Sequence, residues 1–412
     1  MDFVERKEYI DKIKPFINKP VIKVITGMRR VGKSTFLKII SQKILKDIEE
    51  SNKIYLNFET LELLKIKTDI ELVEYLNPLL KDKKNKVYMF FDEIQLVKNW
   101  ERVINALRVD ENYDIYITGS NSSLMSSKIS TLLSGRYIQI EIQPFNFREF
   151  LKLYSDKNLV YEELFKKYIN IGGIPFLKYF DLDENSCAKY LQDLYNTVIV
   201  KDVIEYNKVR DVDMFNRILT YVFENIGQTF SSRSIQKFLK NENRNISVDT
   251  ILNYLEYAKS AYIIKKVPRY DVVGKKILSV DEKYFITDHG LRYAKGFSNE
   301  KNIERILENI VYIELLSRGY KVNIGRVNDK EIDFIAVKGD KKEYYQVSYL
   351  LETEETRNRE FGVYQKVEDN YPKYVLSMDK INFSQNGIIH LNIIQFLCER
   401  SMNWQVKILM IS

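Results

Sequence analysis

Apolar residues follow two different spacings over the first third of the chain. Short runs rich in β-branched and aromatic residues predict five strands, at 21–26, 53–59, 86–91, 113–118 and 137–142. Stretches with helical spacing lie between them, the first of these at 34–45, and another, at 3–17, precedes the first strand. Short strands that alternate with helices are typical of a parallel sheet with helices on both faces. The pattern therefore predicts an α/β fold with a five-stranded parallel sheet in residues 1–143.

The spacing changes three times after residue 143. Residues 144–208 are almost entirely helical in pattern, apart from the break Gly-Gly-Ile-Pro. Residues 209–295 combine helices, one with Ser247 as its predicted N-cap, with two basic apolar runs that suggest a hairpin. Residues 296–412 give the order α-β-β-β-α-β. We therefore predict a sheet domain, a helical lid, a winged-helix-like domain and a small α/β domain.

Composition narrows the classes of protein that fit this pattern. The 412 residues are 45% hydrophobic and 29% charged, with 15 glycines and 7 prolines, so we expect a folded chain with few linkers. Its two cysteines and two histidines are isolated from one another, which argues against a disulfide framework and a structural zinc site. No apolar run is long enough to span a bilayer, and charges crowd the N-terminus. We expect a cytoplasmic, reduced protein without a membrane partner.

The nine residues GMRRVGKST, 27–35, carry the strongest chemical signal. Gly27, Gly32, Lys33 and Ser34 fit the phosphate-binding pattern G-x-x-x-x-G-K-[ST] between a predicted strand and a predicted helix. Such a loop directs backbone N–H groups and a helix N-terminus at phosphates. We expect Lys33 to reach the β- and γ-phosphates of ATP, Ser34 to bind Mg²⁺ and Thr35 to assist at the α-phosphate. The other predicted nucleotide-binding positions are Met28, Arg29, Arg30 and Val31. A basic turn without a ligand is the alternative.

An acidic pair follows the third predicted strand. Asp92 stands where a carboxylate on the adjacent strand would bind the phosphate-bound Mg²⁺, and Glu93 could polarise the attacking water. A surface cap at the end of a strand is the alternative for this pair alone. The phosphate loop about sixty residues upstream favours the catalytic interpretation.

Polar residues beyond this pair leave several interpretations open. Ser120 or Asn121, in the loop after the fourth strand, could orient the water or sense the γ-phosphate, or could belong to a plain polar loop. Arg136, just before the fifth strand, could stabilise charge in the transition state, within the chain or across a subunit interface. It could instead form a solvated salt bridge. A contact across subunits would require a homo-oligomer.

Taken in order, GMRRVGKST, DEIQ, TGSNSSL, LSGRY, PFNFREF and GGIP resemble a prokaryotic group of AAA-type ATPases. Members of that group carry a C-terminal winged helix and a domain with a nuclease-like fold. The later stretches LENIVYIELLSRGY, EIDFIAV and DNYPKYVLSMD look like the same group, so the resemblance covers nearly the whole chain. It implies that GGIP belongs to the helical lid and that Pro175 packs near the adenine. A turn that only ends a helix is the alternative for GGIP.

The predicted winged-helix domain collects most of the positive charge. Between residues 228 and 283 there are eleven Lys or Arg and six Asp or Glu, which gives +5 of the net charge of +7. Cations at this density neutralise the phosphates of DNA. Protein contacts are the alternative, because winged helices also serve those.

The predicted C-terminal domain resembles the restriction-endonuclease core, but its active site is incomplete. In that fold, carboxylates hold Mg²⁺ and a lysine steadies the attacking water. Glu308 and Asp333 match the carboxylates of the helix and the first strand position, whereas Gln346 and Ser348 replace the expected glutamate and lysine. Two other lysines, Lys330 and Lys338, are near in sequence. We expect a retained scaffold for binding or assembly rather than DNA cleavage.

Three functions are consistent with these expectations. The first is a Mg²⁺-dependent ATPase that couples its nucleotide state to binding of DNA or another partner. The second is a signal-transducing switch that binds ATP, hydrolyses it slowly and sets an assembly state. The third, disfavoured by the incomplete site, is an ATP-gated DNA nuclease in genome processing or defence.

Overall fold

A parallel sheet forms the first part of the molecule. The computed structural model describes residues 3–119, 133 and 135–399. Among these residues, the sheet contains five strands: β1 (Ile22–Thr26), β2 (Lys53–Asn57), β3 (Val87–Asp92), β4 (Tyr113–Thr118) and β5 (Tyr137–Glu141). They are all parallel and lie in the order β2-β3-β4-β1-β5. The predicted α/β fold with a five-stranded parallel sheet is confirmed.

Helices cover both faces of this sheet. They include α1 (Lys7–Ile13), α2 (Lys33–Ile39), α3 (Asp69–Leu80) and α4 (Trp100–Val109). Successive side chains of β1 enter different hydrophobic clusters, Val24 on one face and Ile25 on the other. Burial on both faces explains why the strands appear in the sequence as continuous apolar runs. The carboxyl ends of the parallel strands share one edge, which is where ligands bind in such sheets.

The two N-terminal helices differ from their predicted extents. The helix predicted at 3–17 is α-helical only over Lys7–Ile13, and a 3-10 turn that contains Pro15 follows it. Proline has no N–H to extend the helical ladder, which explains the change. Helix α2 continues after Ile39 as a π-helical turn (Ile40–Ile44). Apolar spacing alone did not distinguish that turn from an α-helix.

Helices dominate the chain between the two sheets. They include α5 (Phe147–Leu153), α6 (Tyr161–Ile171), α7 (Glu184–Val198), α8 (Val212–Glu224), α9 (Ser232–Asn241) and α10 (Val248–Ser260). Helix α7 continues directly into a π-helical segment, Ile199–Glu205. Helix α10 begins after Ser247, whose hydroxyl accepts a hydrogen bond from the Thr250 N–H at 3.1 Å. The predicted N-cap at Ser247 is therefore confirmed.

In the described part of the chain, a second sheet contains seven strands. They are β6 (Ile264–Asp271), β7 (Lys276–Ile286), β8 (Lys321–Val327), β9 (Lys330–Lys338), β10 (Lys341–Val347), β11 (Lys373–Ser377) and β12 (Ile389–Asn392). Their order is β12-β11-β10-β9-β8-β6-β7. Strands β6 and β7 form an antiparallel hairpin, and β6 pairs in parallel with β8. The hairpin and the C-terminal strands, predicted in separate domains, therefore share one sheet. The domain boundaries at 143, 208 and 295 stay predictions.

The last helices pack around this second sheet. They are α11 (His289–Ala294), α12 (Ile303–Ser317), α13 (Glu354–Gly362) and α14 (Ile393–Cys398). Strand β12 and α14 extend the predicted α-β-β-β-α-β order by one strand and one short helix. None of the helices in the described ranges has the length and apolar content needed to cross a membrane.

Candidate functional site

The loop between β1 and α2 has the backbone shape that the phosphate-binding pattern requires. Gly27 has φ 138°, and a Cβ at this position would lie 2.4 Å from the carbonyl oxygen of Ile142. Gly32, at φ 97°, precedes the first turn of α2. A positive φ is unfavourable for residues with a side chain, so both positions favour glycine. The loop lines a cavity of about 340 Å³ to which the helical region also contributes.

Lys33 is buried at the first position of α2 and faces this cavity. Its ammonium donates hydrogen bonds to the carbonyl oxygens of Gly27 at 3.2 Å and Met28 at 3.1 Å. Burial lowers the pKa of Lys33, and the nearby charge of Glu93 works against that change. Among the described residues, no salt bridge involves this ammonium. A buried cation without an ion pair favours binding of an anion.

Asp92, the last residue of β3, accepts hydrogen bonds from three hydroxyl groups. Ser34 donates to its Oδ1 at 3.0 Å, Thr118 to the same oxygen at 2.6 Å, and Tyr55 to Oδ2 at 3.1 Å. Burial raises the pKa of Asp92, and these hydrogen bonds work against the increase. The Ser34 hydroxyl and the Asp92 carboxylate are hard oxygen ligands, which suit Mg²⁺. Within the described ranges, no group of three or more His, Cys, Asp or Glu could hold a metal. One carboxylate and one hydroxyl are nevertheless sufficient when nucleotide phosphates supply the other ligands.

Glu93 lies next to Asp92 in a backbone conformation that is uncommon for a non-glycine residue. Its φ is 57°, its side chain lines the cavity, and Gln95 donates a hydrogen bond to its carboxylate. The Glu93 N–H donates to the Thr118 hydroxyl at 3.0 Å. Thr118 therefore connects both members of the acidic pair. The sequence interpretation missed Thr118, although a hydroxyl at the end of the neighbouring strand was a usable signal.

The two arginines of the loop have different partners. Arg29 forms two parallel hydrogen bonds to Asp202, from Nε to Oδ2 at 2.8 Å and from Nη2 to Oδ1 at 2.9 Å. Arg30, at φ 66°, places its guanidinium carbon 5.7 Å from the ring centre of Phe176. Asp202 lies on the π-helical segment after α7, 173 residues from its partner. Local sequence patterns could not identify a residue at that distance.

The Gly-Gly-Ile-Pro break closes one side of the cavity. Pro175 and Phe176 line it, and the contact of Pro175 with the adenine stays a prediction. A Cβ on Gly173 would lie 2.1 Å from the Phe145 carbonyl oxygen, so this close approach requires glycine. The Gly173 N–H donates to the buried carboxylate of Asp288 at 2.8 Å. The break is thereby linked to the residues that follow β7.

Of the remaining predicted catalytic residues, Arg136 lies within the described part of the chain. Ser120 and Asn121 lie outside the described residues. Arg136 immediately precedes β5, and its side chain is exposed and does not line the cavity. Its proposed stabilisation of the transition state, within the chain or across a subunit interface, stays a prediction.

The nuclease-like positions meet around a lysine from the hairpin. The ammonium of Lys283, on β7, lies 2.6 Å from Glu331 Oε1, 3.4 Å from Glu308 Oε2 and 4.0 Å from Asp333 Oδ1. Burial alone would lower the pKa of Lys283, but these carboxylates raise it above its ordinary value. Burial raises the pKa of Glu308 to about 7 and that of Asp333 well above its usual range. We call these four residues the carboxylate cluster.

Gln346 supports this cluster, whereas the two lysines noted in sequence do not enter it. The Gln346 side-chain oxygen accepts a hydrogen bond from the Asp333 N–H at 3.2 Å. Lys330 donates to the Gly362 carbonyl and Lys338 to the Arg318 carbonyl. Ser348 is buried and donates to the Leu350 carbonyl at 3.3 Å. Ser348 supplies no cation, but Lys283 places one beside the carboxylates. Lys283 lies on a strand that sequence reasoning assigned to another domain.

One face of α9 carries cations that are free of ion pairs. Arg233, Lys237 and Lys240 have helical spacing, are exposed, and form no salt bridge with any described residue. They line a cavity of about 560 Å³ beside Ser247, at the start of α10. Several other cations of the basic segment have carboxylate partners, namely Arg244, Lys259, Lys265, Lys266, Arg269 and Lys283. Lys275 and Lys276, at the end of the turn between β6 and β7, are exposed and likewise form no salt bridge with a described residue. Three of the five cations of the basic segment that lack such an ion pair therefore lie on α9.

The fold and the loop define a P-loop protein of the AAA type. Residues 19–151 match the family described as AAA domain, and residues 162–302 match a domain of unknown function (DUF8612). The AAA-type part of the predicted resemblance is confirmed. The winged-helix and nuclease-like assignments stay predictions.

The chain belongs to the same family as two uncharacterized proteins, one bacterial and one archaeal. It is 35% identical to an uncharacterized protein of Haemophilus influenzae, over 91% of this chain and 93% of that protein. It is 36% identical to the uncharacterized protein MJ1544 of Methanocaldococcus jannaschii, over 90% of this chain and 82% of the relative.

Solved structures show weaker similarity. The Walker-type ATPase PABY2304 of Pyrococcus abyssi is 19% identical, with TM-score 0.48, over 72% of this chain and 97% of that chain. Cdc6p of Pyrobaculum aerophilum is 10% identical, with TM-score 0.32, over 74% and 93%. Both TM-scores are below 0.5, so the family assignment rests on sequence.

Proposed function

We propose that this protein is a Mg²⁺-dependent ATPase whose nucleotide state controls binding of a partner. The observation that carries the proposal is the cavity lined by Lys33, Ser34 and Glu93, where the Ser34 hydroxyl bonds to Asp92 and Lys33 has no ion pair with any described residue. An ammonium with no carboxylate partner suits the phosphates of ATP. The adjacent hydroxyl and carboxylate suit Mg²⁺, which neutralises phosphate charge when bound.

In this proposal, each residue of the site has a separate role in binding or hydrolysis. Lys33 exchanges the loop carbonyl oxygens for oxygens of the β- and γ-phosphates, and the N-terminus of α2 contributes its N–H groups. Ser34 and Asp92 hold the metal. Glu93 accepts a hydrogen bond from the attacking water, while Gln95 and the Thr118 hydroxyl fix its position. Pro175 and Phe176 contact the base.

Replacement of Glu93 tests the proposed chemistry. Glu93→Gln should bind ATP with nearly unchanged affinity and reduce the turnover number by about 100-fold or more, because general-base contributions are of this size. Phosphate release and equilibrium binding are measured on the full chain. Glu74→Gln, on the exposed face of α3, is the matched control and should retain activity. Normal turnover of Glu93→Gln would remove the proposed role of Glu93.

The rate of turnover separates an energy-coupled ATPase from a slow switch. A switch would show very slow hydrolysis, no stimulation by DNA and an oligomeric state that depends on the nucleotide. Light scattering with ATP and with ADP, beside turnover with and without DNA, distinguishes the two. The same preparation reports whether the protein is a homo-oligomer.

The unpaired cations of α9 favour DNA as the partner. Arg233, Lys237 and Lys240 suit phosphates, whereas the exposed face of α10 carries Asp249 and Glu256. In this proposal, DNA is held through its backbone by α9 rather than read at its bases by α10. Lys237→Ala should weaken binding equally across DNA sequences and reduce the salt dependence by about one counterion. Lys46→Ala, a lysine outside the basic segment, is the control.

DNA cleavage remains the third candidate because Lys283 supplies a cation to the carboxylate cluster. The same ammonium also neutralises the carboxylates that would hold a metal, which favours a structural role. Nicking of a supercoiled plasmid with Mg²⁺ or Mn²⁺ decides between these roles. Cleavage that disappears in Asp333→Ala would support the nuclease, and the absence of cleavage by the parent chain would exclude it under those conditions.

A further inference from the structure

The Arg29–Asp202 pair places a guanidinium in the wall of the cavity. Arg29 lines the cavity with Lys33, Ser34 and Glu93, and its side chain is 22% exposed, whereas that of Asp202 is fully buried. Both hydrogen bonds use one edge of the guanidinium, Nε and Nη2. Among the described residues, Nη1 makes no hydrogen bond. An arginine has five N–H donors, so a second edge remains for another anion.

The neighbouring arginines Arg29 and Arg30 have different surroundings in the wall of the cavity. Arg29 bonds to Asp202 and lines the same cavity as Glu93, the residue proposed to contact the attacking water. Arg30 instead lies over Phe176, beside Pro175, on the side expected for the base. The terminal phosphate is the part of a nucleotide farthest from its base, so it is the group that Arg29, on the cavity wall with Glu93, could reach.

Asp202 fixes the orientation of Arg29 rather than acting on the nucleotide itself. A parallel pair of hydrogen bonds holds the guanidinium in one plane, which a single contact would not do. Asp202 belongs to the π-helical segment Ile199–Glu205, in the helical region outside the sheet domain. π-Helical turns inside α-helices are frequently found at functional sites. The pair therefore connects the phosphate end of the cavity to the helical region.

We propose that Arg29 binds the γ-phosphate of ATP through its free edge and that Asp202 positions it for this contact. The inference rests on the proposed ATP binding and adds the residue that distinguishes ATP from ADP. It also identifies the route by which the helical region senses the nucleotide. Loss of the γ-phosphate removes one anion from the guanidinium and leaves the Asp202 contact intact.

Equilibrium binding of a non-hydrolysable ATP analogue and of ADP tests the proposal on the full chain. Arg29→Met should weaken binding of the analogue by about 10-fold or more, the effect of one hydrogen bond to a charged group, and change ADP binding by less than about 2-fold. Arg30→Met is the matched control in the same loop and should affect both nucleotides equally. Retained ADP binding shows that a variant is folded.

Asp202→Asn tests the positioning role separately. The amide has one acceptor oxygen and can accept only one of the two hydrogen bonds from Arg29. The preference for the ATP analogue over ADP should therefore decrease, while ADP binding persists. Arg29→Lys keeps the charge but not the planar fork, and should restore only part of the preference. Equal losses of analogue and ADP binding in Arg29→Met would overturn the inference and leave ATP binding intact. Failure of the parent chain to bind either nucleotide would instead overturn the proposed function.

Discussion

Lys33 and Lys283 are both buried lysines on regular elements, but their surroundings are opposite. Lys33, in the cavity proposed to bind ATP, bonds among the described residues only to carbonyl oxygens of its own loop. Lys283, in the carboxylate cluster, has Glu308, Glu331 and Asp333 around its ammonium. Burial lowers the pKa of the first, whereas the carboxylates raise the pKa of the second.

An ammonium without carboxylate partners is available to bind an anionic ligand, whereas the charge of an ammonium among carboxylates is already neutralised within the protein. A buried charge without a partner destabilises the protein until an anion arrives, and this is acceptable where binding supplies the anion. A buried charge with its partners in place is costly to disturb, because removal of one partner leaves the others uncompensated. The two lysines should therefore respond differently to the same type of substitution.

The largest effect is expected from Lys283→Met. Glu308 and Asp333 lose their cation, whereas Glu331 keeps its ion pair with Arg269, so the free energy of unfolding should decrease by about 3–5 kcal/mol. Denaturant unfolding followed by circular dichroism measures the change. Lys276→Met, at an exposed position on the same strand, should cost little. An unchanged denaturation midpoint in Lys283→Met would remove the contrast between the two lysines.

Lys33→Ala should have the opposite profile. Loss of hydrogen bonds between a cation and phosphates should weaken ATP binding by about 100-fold, while the free energy of unfolding changes by less than about 1 kcal/mol. Calorimetric titration with ATP and denaturant unfolding are compared on one preparation. Lys38→Ala, exposed on the same helix, is the control for the charge change. Strong destabilisation without loss of binding would contradict the assignment of a ligand site.

A pH dependence sharpens the comparison at the carboxylate cluster. The folded-state pKa of Glu308, about 7, is above its ordinary value of 4.5, mainly because of burial. Its contribution to stability is complete below about pH 4.5 and is lost as the pH rises through about 7. The Gln side chain does not titrate. As the pH rises from 5 to 8, the difference in unfolding free energy between Glu308→Gln and the parent should therefore change in favour of the variant, by on the order of 2 kcal/mol.

Denaturant unfolding across this pH range measures the effect of Glu308→Gln. Glu355→Gln, exposed on α13, should follow the parent chain at every pH. A constant difference between Glu308→Gln and the parent would show that Glu308 does not titrate in this range.

The smallest effect is expected at Thr118. Thr118→Val removes the hydroxyl that bonds to Asp92 and accepts the Glu93 N–H, so stability should decrease by about 1 kcal/mol. Turnover should also fall, because Glu93 loses a fixed backbone contact. Thr118→Ser keeps the hydroxyl and should restore both quantities in the unfolding and phosphate-release measurements. A Ser variant as defective as the Val variant would assign the effect to packing.

Sequence reasoning succeeded for elements whose chemistry is local. The residues of GMRRVGKST lie next to one another, and their glycines reflect backbone positions that exclude other residues. The strand that ends in Asp92 was apolar throughout because both of its faces are covered. Sequence reasoning failed for groups whose members come from distant segments of the chain. Thr118, Asp202 and Lys283 each act through a partner on another element, so no spacing along the chain identified them.

The sequence alone determined the phosphate loop, the acidic pair and the parallel sheet, because each depends on neighbouring residues or on a regular period. Only the tertiary structure decided which cations are available for ligands. Charge counting assigned the same value to Lys33, Lys237 and Lys283. Folding left Lys33 with backbone carbonyl oxygens and Lys237 in solvent, and surrounded Lys283 with carboxylates. The reason is physical: the availability of a charge depends on burial and on partners brought together by the fold.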